Sequence, residues 1–324
     1  MRKALLSISL ILGLFFCEKS MAQISWIAKL YKYAHTRDTT FYSSKPGDFD
    51  VKIMENMLGT VMRTRGSEGN TSMKNFKSRI TSENMINSSI NVGYKGIALG
   101  YTFDPFGDKS GDTRFMLSLY GNFLGLDLIY NKIQSFSGYS EFGGIRYDIP
   151  YGVPEMKIFN INSYIVFNHK HFSYPSGVCQ SYIQKRSSGS LIGGFTFSRN
   201  RTKVADMGFG VPDLNMDSRI VAIGAGYAYT YVPAKDIQIS LMLMPKFVVY
   251  NSSWVNLAGK RDVWSIFKRA EMTHSYSFAA VKWFKKFYCA ITALGDSYSQ
   301  GSPLMDFSVL QIHWHFHAHV GINF

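Results

Sequence analysis

The sequence predicts an all-β fold, a transmembrane antiparallel up-and-down β-barrel of about 14 strands, with about 12 as the alternative. Three observations support this prediction. Segments in which apolar and polar residues alternate with period two recur along the chain. The composition is 15% aromatic but only 18% charged, compared with ~25% charged residues in typical soluble domains. Beyond the N-terminal leader, no stretch approaches the ~20 consecutive apolar residues of a transmembrane helix.

The N-terminus predicts export to the outer membrane. A basic start at Arg2 and Lys3, a short apolar run and a small-x-small site ending at Ala22 are typical of a secretory signal peptide cleaved after that alanine. Because of Cys17, a lipoprotein is the alternative. Phe16 argues against it, because a small residue should precede a lipidated cysteine. The predicted domains are a signal peptide (1–22), a periplasmic lead-in (23–48) and an outer-membrane barrel (49–324).

The clearest alternation is in the last stretch, Ile312-His-Trp-His-Phe-His-Ala-His-Val-Gly-Ile-Asn-Phe324. One face of this predicted strand is apolar and aromatic, and the other is polar. The stretch resembles the closing strand of a bacterial outer-membrane barrel, whose terminal aromatic residue is part of the signal read by the assembly machinery. The predicted lipid-facing and assembly-signal residues are Trp314, Phe316, Val320, Ile322 and Phe324. The predicted lumen-facing residues are His313, His315, His317, His319 and Asn323.

The same alternation appears in the hairpin 87–103, which turns at Lys95-Gly96, and in several later segments. It adds four predicted lumen-facing residues: Asn91, Asp127, Asn160 and Asn162. The obvious segments number about 13, whereas single-chain bacterial barrels have an even number of strands. A tight turn at Asn200-Arg201 followed by a weak strand over 202–208 would give fourteen. Twelve results if two weak segments merge or drop out.

Of the three cysteines, Cys17 would be removed with the signal peptide. Cys179 and Cys289 fall on segments that we interpret as separate strands. The sequence leaves open whether they form a disulfide, but two cysteines do not make a disulfide scaffold. We therefore expect two free, buried thiols.

The formal net charge is +13 at pH 7, and basic pairs such as Arg63/Arg65 and Lys77/Arg79 lie at predicted strand ends. For an exported protein we expect no nucleic-acid partner. The positive charge suits lipopolysaccharide phosphates or anionic solutes, and simple solvation of loops is the alternative. The expected partners are outer-membrane lipid including lipopolysaccharide, the barrel assembly machinery and small solutes. The oligomeric state is open.

Three stretches carry a resemblance to a known family: Ser89–Phe103, the turn Phe167–Tyr174 with Gln184–Gly194, and Gly224–Tyr231. They are similar to an exported outer-membrane barrel family of the Bacteroidota that is catalogued only as a domain of unknown function, family 4421. The likeness covers the chain from about Asp38 onward. The resemblance implies a barrel, and it brings no activity and no catalytic residues.

Several functions remain open at this level. A porin-like channel for small solutes is favoured by inner faces rich in Gly, Ser, Thr and Asn. A structural or assembly partner in the outer membrane is the first alternative. A lumen metal binder or enzyme is the second, because imidazoles two residues apart on a strand can share one metal; its weak candidates are His313, His315, His317 and His319. Polar lining of the lumen is the simpler interpretation of these histidines, and no catalytic constellation or cofactor motif is visible in the sequence.

Overall fold

The computed structural model of the protein describes residues 29, 33, 36–66, 76–82, 85–103, 112–205, 214–257, 260–265, 271–302 and 307–324. The predicted signal peptide (1–22) lies outside the described residues. Within these ranges, no helix is long and apolar enough to cross a membrane.

The described chain is built almost entirely of strands, as the alternating pattern predicts. The strands are β1 (Tyr42–Ser44), β2 (Phe49–Gly66), β3 (Lys77–Ser82), β4 (Met85–Tyr94), β5 (Ile97–Phe103), β6 (Thr113–Tyr120), β7 (Leu124–Ile133), β8 (Phe136–Phe142), β9 (Ile145–Ile149), β10 (Pro154–Val166), β11 (Tyr182–Gln184), β12 (Ser188–Val204), β13 (Leu214–Ala234), β14 (Ile237–Leu257), β15 (Lys260–Ser265), β16 (Met272–Trp283), β17 (Phe287–Ser302) and β18 (Phe307–Asn323). A short helix, α1 (Tyr174–Val178), lies between β10 and β11.

Twelve of the described strands form a closed antiparallel barrel. Their order around the barrel is β2, β4, β5, β6, β7, β10, β12, β13, β14, β16, β17 and β18. The last strand then pairs with the first, joining Phe307–Asn323 to residues 50–66 without a register shift. The predicted fold class is confirmed, with the alternative strand number of twelve.

The preferred count of fourteen is wrong because the predicted turn at Asn200-Arg201 does not exist. β12 runs through both residues to Val204 and pairs with β10 and β13 along the way. The alternation continues there, with Asn200 and Thr202 buried inside and Arg201 exposed outside. Polar residues on both faces resembled a turn in the sequence, but they mark the part of the strand that leaves the apolar belt.

Four tight turns and the C-terminus lie at one end of the barrel, which we call the turn end. The turns are at 95–96, 121–123, 235–236 and 284–286. Lys95 and Gly96 both have positive φ, 45° and 88°, as a two-residue type I′ hairpin requires. Beside the C-terminus, the Phe324 N–H donates to the Phe49 carbonyl over 2.9 Å. The opposite end, the loop end, carries the longer connections.

At the loop end, additional pairing extends the wall beyond the short strands β5 and β6. β3 continues the line of β4 along β2, the β8–β9 hairpin pairs with β3, and β15 pairs with the end of β14.

The two faces of the barrel differ as a membrane requires. Exposed apolar side chains cover the outside; examples are Ile53, Ile90, Leu99, Leu191, Ile223, Leu241, Leu243, Phe247 and Val320. The inner face is mostly Asn, Ser, Thr and His. Because strands alternate between lipid and lumen, this division makes the fold a transmembrane barrel.

Candidate functional site

The structure places the predicted lumen-facing residues inside the barrel. Six of them are buried: Asn91, Asn160, His315, His317, His319 and Asn323. The other three line the lumen with partial exposure and are hydrogen-bonded to neighbouring strands: Asp127, Asn162 and His313. On the outside, Phe316, Val320, Ile322 and Phe324 are exposed, and the Trp314 ring covers the backbone of Gly59 on the adjacent strand.

The histidines of β18 form a continuous row along the inner wall. The ring centroids of His315 and His317 are 4.6 Å apart, and those of His317 and His319 are 5.1 Å apart. His315 Nε2 lies 2.9 Å from Asn56 Oδ1, and His319 Nε2 lies 3.0 Å from Gln180 Oε1. Among the described residues, no group of three or more His, Cys, Asp or Glu side chains has the arrangement of a metal site. Metal binding by the row stays a hypothesis.

The turn end of the lumen is occupied by residues 167–187, the connection between β10 and β12, which we call the inserted segment. Its helix α1 packs against β14 and β16. The approach is close, since a β-carbon on Gly177 would lie 2.5 Å from Ser240 Oγ of the wall. At the inner end of the helix, the rings of Tyr164 and Tyr174 meet edge to face at 4.6 Å. The segment is therefore a plug folded into the lumen.

Hydrogen bonds join the inserted segment to the wall. The buried Lys52 ammonium donates to the Cys179 carbonyl, and Gln180 meets His319. The Gln184 N–H donates to Gln238 Oε1 over 3.1 Å. Gln180 has φ of 55°, a strained conformation for a residue other than glycine. These bonds are few and non-covalent.

The lead-in covers the inserted segment from outside. β1 pairs with β11, and the Asp38 N–H donates to the Lys170 carbonyl over 2.9 Å. The side-chain hydroxyl and backbone N–H of Thr40 hold the pKa of Asp38 below its usual range, because both donate to its carboxylate. The lead-in is thus an ordered cap on the plug from about residue 38 onward.

The loop half of the lumen is closed by apolar side chains from opposite walls. The loop-end cluster comprises Met62, Phe76, Ile80, Phe136, Ile149, Met156, Ile158, Val204, Met216 and Val309. β2 and β12 face each other across the barrel, so their contact through this cluster spans the lumen. A hydrogen bond also crosses the lumen, from Asn200 Nδ2 to Gln311 Oε1 over 2.9 Å.

Between the plug and the loop-end cluster lies a cavity of about 170 Å³, lined by both polar and apolar side chains, which we call the chamber. Tyr174 and Val178 of the inserted segment line one side, and Ile158 of the loop-end cluster lines the other. The charged and histidine side chains that line it include Arg114, Asp127, Lys246, Asp296, His313 and His315.

Most charges of the chamber are satisfied by the wall. Asp127 accepts hydrogen bonds from the hydroxyls of Ser118 (2.5 Å) and Tyr120 (2.8 Å). Lys246 Nζ donates to Ser275 Oγ over 2.7 Å, and that hydroxyl in turn donates to Asp296 over 2.5 Å. Ser275 therefore bridges the Lys246 ammonium and the Asp296 carboxylate.

Arg114 differs from the other charges. Its guanidinium faces the chamber, and no hydrogen bond or ion pair within 4.0 Å joins it to another described residue. A guanidinium offers five donors in a planar fork that matches carboxylate and phosphate groups. The chamber therefore presents an unpaired cation to any solute that enters it.

The cysteines are both free. Cys179 is buried in the inserted segment, where burial raises the pKa of its thiol to about 11. Cys289 is exposed on the outer face of β17, so the prediction that both thiols are buried is wrong for this residue. Its position follows from the alternation, since Tyr288 and Ala290 take the inward positions.

The sequence reasoning missed Arg114, Lys246 and Asp296. Each is a charged residue at an inward position of a strand whose other face is apolar, a pattern that was visible in the sequence. The inserted segment was missed as well, because residues 167–187 contain the turn Phe167–Tyr174 noted in the sequence and no periodic pattern that would indicate entry into the lumen.

Comparison with solved structures finds other outer-membrane barrels at low sequence identity. The outer membrane protease OmpT from Escherichia coli aligns with a TM-score of 0.43 and 11% identity, over 87% of this chain and 98% of that chain. An outer membrane channel from Pseudomonas putida F1 aligns with a TM-score of 0.36 and 12% identity, over 86% and 96%. The β domain of the Bordetella autotransporter BrkA aligns with a TM-score of 0.36 and 10% identity, over 86% and 100%.

Among curated proteins, no sequence matches this chain. A family match covers the whole barrel together with β1, and it agrees with the resemblance seen in the sequence. The bacterial group stays a prediction. Over residues 36–324 the chain matches the family described as "Domain of unknown function (DUF4421)", and it belongs to that family.

Proposed function

We propose that this protein is a gated channel of the outer membrane that passes small solutes and favours anions. The observation that carries the proposal is the chamber, a cavity between the plug and the loop-end cluster that Arg114 faces without a hydrogen bond or an ion pair within 4.0 Å to another described residue. A barrel with a purely structural role does not need a half-buried guanidinium in its lumen that lacks a hydrogen-bonded partner, because such a charge is costly to desolvate.

The outer surface and the two ends of the barrel support a location in the outer membrane. An exported chain with an apolar outer belt, short turns at one end and longer connections at the other matches the orientation of bacterial outer-membrane barrels. In that orientation the turn end and the inserted segment face the periplasm. The signal peptide predicted for residues 1–22 supports this route.

Passage requires movement at both ends of the lumen. At the turn end, the strand β11 of the inserted segment pairs with β1 and not with a wall strand, so the segment can move out of the lumen while the wall ladders remain intact. At the loop end, the loop-end cluster consists of side chains whose rearrangement opens a path. The closed arrangement is the resting state of the proposed channel.

Ion selectivity tests the proposal at the chamber. In planar bilayers with a KCl gradient, the purified protein is expected to show discrete currents with a reversal potential that favours chloride. Arg114→Gln should shift that potential toward potassium selectivity, because the only unpaired cation described in the chamber is removed. Lys95→Gln is the matched control, since Lys95 lies in an exposed tight turn away from the chamber and pairs with Asp48 at 3.4 Å.

Two results would refute the proposal. One is the absence of current at every voltage in a preparation whose folding is verified by heat-dependent gel mobility. The other is an identical reversal potential for the wild-type and Arg114→Gln proteins, which would leave the chamber without a role in permeation.

A further inference from the structure

Four cations form a compact group on the outer surface of the barrel, at the loop end of β2 and β3. This basic quartet consists of Arg63, Arg65, Lys77 and Arg79. All four side chains are exposed and point away from the lumen, because they alternate with the buried residues Met62, Thr64, Ser78 and Ile80.

The pairing of β2 and β3 brings like charges face to face. Arg63 lies directly opposite Arg79, and Arg65 lies directly opposite Lys77. Directly opposed side chains have β-carbons ~4.5–5.5 Å apart, and like charges in this position destabilise a sheet. Among the described residues, no carboxylate lies within 4.0 Å of any member of the quartet. Glu141, opposite Lys77 on β8, is the nearest acidic position in the ladder.

Other basic residues at the loop end are paired with carboxylates. Asp217 accepts from Arg199 at 2.7 Å and from Arg201 at 3.2 Å. Lys157 is paired with Glu155 at 2.7 Å. The quartet alone combines opposed like charges with no neutralising carboxylate in the described structure, so its charge is left for an external anion.

A cavity of about 260 Å³ lies at this position, lined by the quartet together with Thr64, Ser78 and Tyr139. Tyr139 is the cross-strand neighbour of Arg79 on β8. The site thus offers guanidinium forks, an ammonium and an aromatic ring around one concave surface. Arginine forks bind phosphate oxygens in a bidentate manner.

The source of the phosphate follows from the surroundings of the quartet. Next to the quartet, towards the middle of the barrel, the outward residues of the same wall include the apolar Met57, Trp314 and Phe316. The hydrogen-bonded pair Glu55 and Ser88 is a polar exception farther along this wall. The cations therefore begin where the lipid-facing belt ends, at the depth of headgroups. A ligand with acyl chains beside its phosphate would contact both surfaces at once, which a free phosphate ion would not.

We propose that the basic quartet binds the phosphate groups of a phosphorylated glycolipid, the class to which lipopolysaccharide belongs, in the outer leaflet beside β2 and β3. The bound anion offsets the repulsion within the two like-charged pairs. The site lies outside the lumen and is independent of the proposed channel.

Binding of diphosphorylated lipid A to the purified barrel in detergent micelles tests this proposal. The double variant Arg63→Gln/Arg79→Gln should bind at least about tenfold more weakly, the loss expected for charge-assisted hydrogen bonds. Lys157→Gln, which removes a cation already neutralised by Glu155, should bind within about twofold of wild type. Lipid A without its phosphates should bind to the wild type as weakly as diphosphorylated lipid A binds to the double variant.

Each remaining result overturns the proposal. Equal losses in the double variant and in Lys157→Gln would indicate general charge attraction. Undiminished binding by the double variant, or by the dephosphorylated lipid, would remove the phosphate contact. Inorganic phosphate alone binding as tightly as lipid A would make the quartet a free-anion site. Heat-dependent gel mobility of both variants verifies that they are folded.

Discussion

Small inner residues allow neighbouring strands of the wall to pack closely. On β13, a β-carbon added to Gly226 would lie 2.1 Å from the Leu243 carbonyl oxygen and 2.6 Å from Met244 Cα. These are backbone atoms of β14, so they cannot swing away as a side chain would. Gly226 is therefore required by close packing of the wall rather than by its conformational freedom.

Gly226→Ala should lower the free energy of unfolding by about 1–3 kcal/mol, the usual cost of overpacking. Urea unfolding of the refolded barrel, followed by tryptophan fluorescence, measures the change. Gly193→Ala on β12 is the matched control, because the nearest atom to its added β-carbon is a Phe167 ring atom at 3.7 Å. Equal stability of the two variants would contradict this explanation of the inner glycines.

The histidine row of β18 leads to a second prediction about single residues. His315 and His319 are hydrogen-bonded to Asn56 and Gln180, which accounts for them as lining of the lumen. The double variant His315→Ala/His317→Ala should therefore contain the same amount of zinc as the wild type when measured by plasma mass spectrometry. A stoichiometric zinc content in the wild type that the variant loses would establish the metal hypothesis instead.

At the scale of elements, β18 closes the barrel, and Phe324, the residue that follows it, continues the seam with β2. The Phe324 ring lies 6.3 Å from the Phe49 ring, and its backbone N–H bonds to Phe49. The side chain itself is 67% exposed, so it adds little packing energy. That Phe324 acts as a signal to the assembly machinery, which the resemblance to closing strands implies, stays a prediction.

Phe324→Ala should reduce the amount of barrel assembled in cellular outer membranes several-fold while leaving refolding of the purified chain in detergent unchanged. Quantitative immunoblotting of membrane fractions and heat-dependent gel mobility measure the two effects. Phe287→Ala is the control, because Phe287 is an exposed outward aromatic at the turn end of the neighbouring strand. An equal loss of refolding in detergent would assign Phe324 a packing role.

The wall strands could be predicted from the sequence because a lipid belt and a watery lumen impose the same alternation on each. The alternation even placed Asn160 and His319 on the correct face. The loop end of β12 was misjudged at Asn200-Arg201, where the outer face is no longer apolar. The plug around Cys179 could not be predicted, because its contacts with Lys52 and His319 join residues far apart in the sequence and follow no period.

At the scale of the whole molecule, the barrel is a polar tube closed twice. The inserted segment closes the turn end by contacts that include Lys52 and Gln180. The loop-end cluster closes the other end by apolar contact between walls, with Met62 and Met216 on separate strands. The two closures lie in series, one on each side of the chamber. If the protein is a gated channel, each closure should limit the current independently of the other.

Single-channel recording of four proteins in planar bilayers tests this claim most directly: the wild type, Lys52→Met/Gln180→Ala, Met62→Ser/Met216→Ser, and all four substitutions combined. Each pair should raise the open probability, and the combined variant should be open for the longest fraction of time, with currents that reverse near the chloride potential. Folded barrels of all four proteins that pass no current at any voltage would contradict the account.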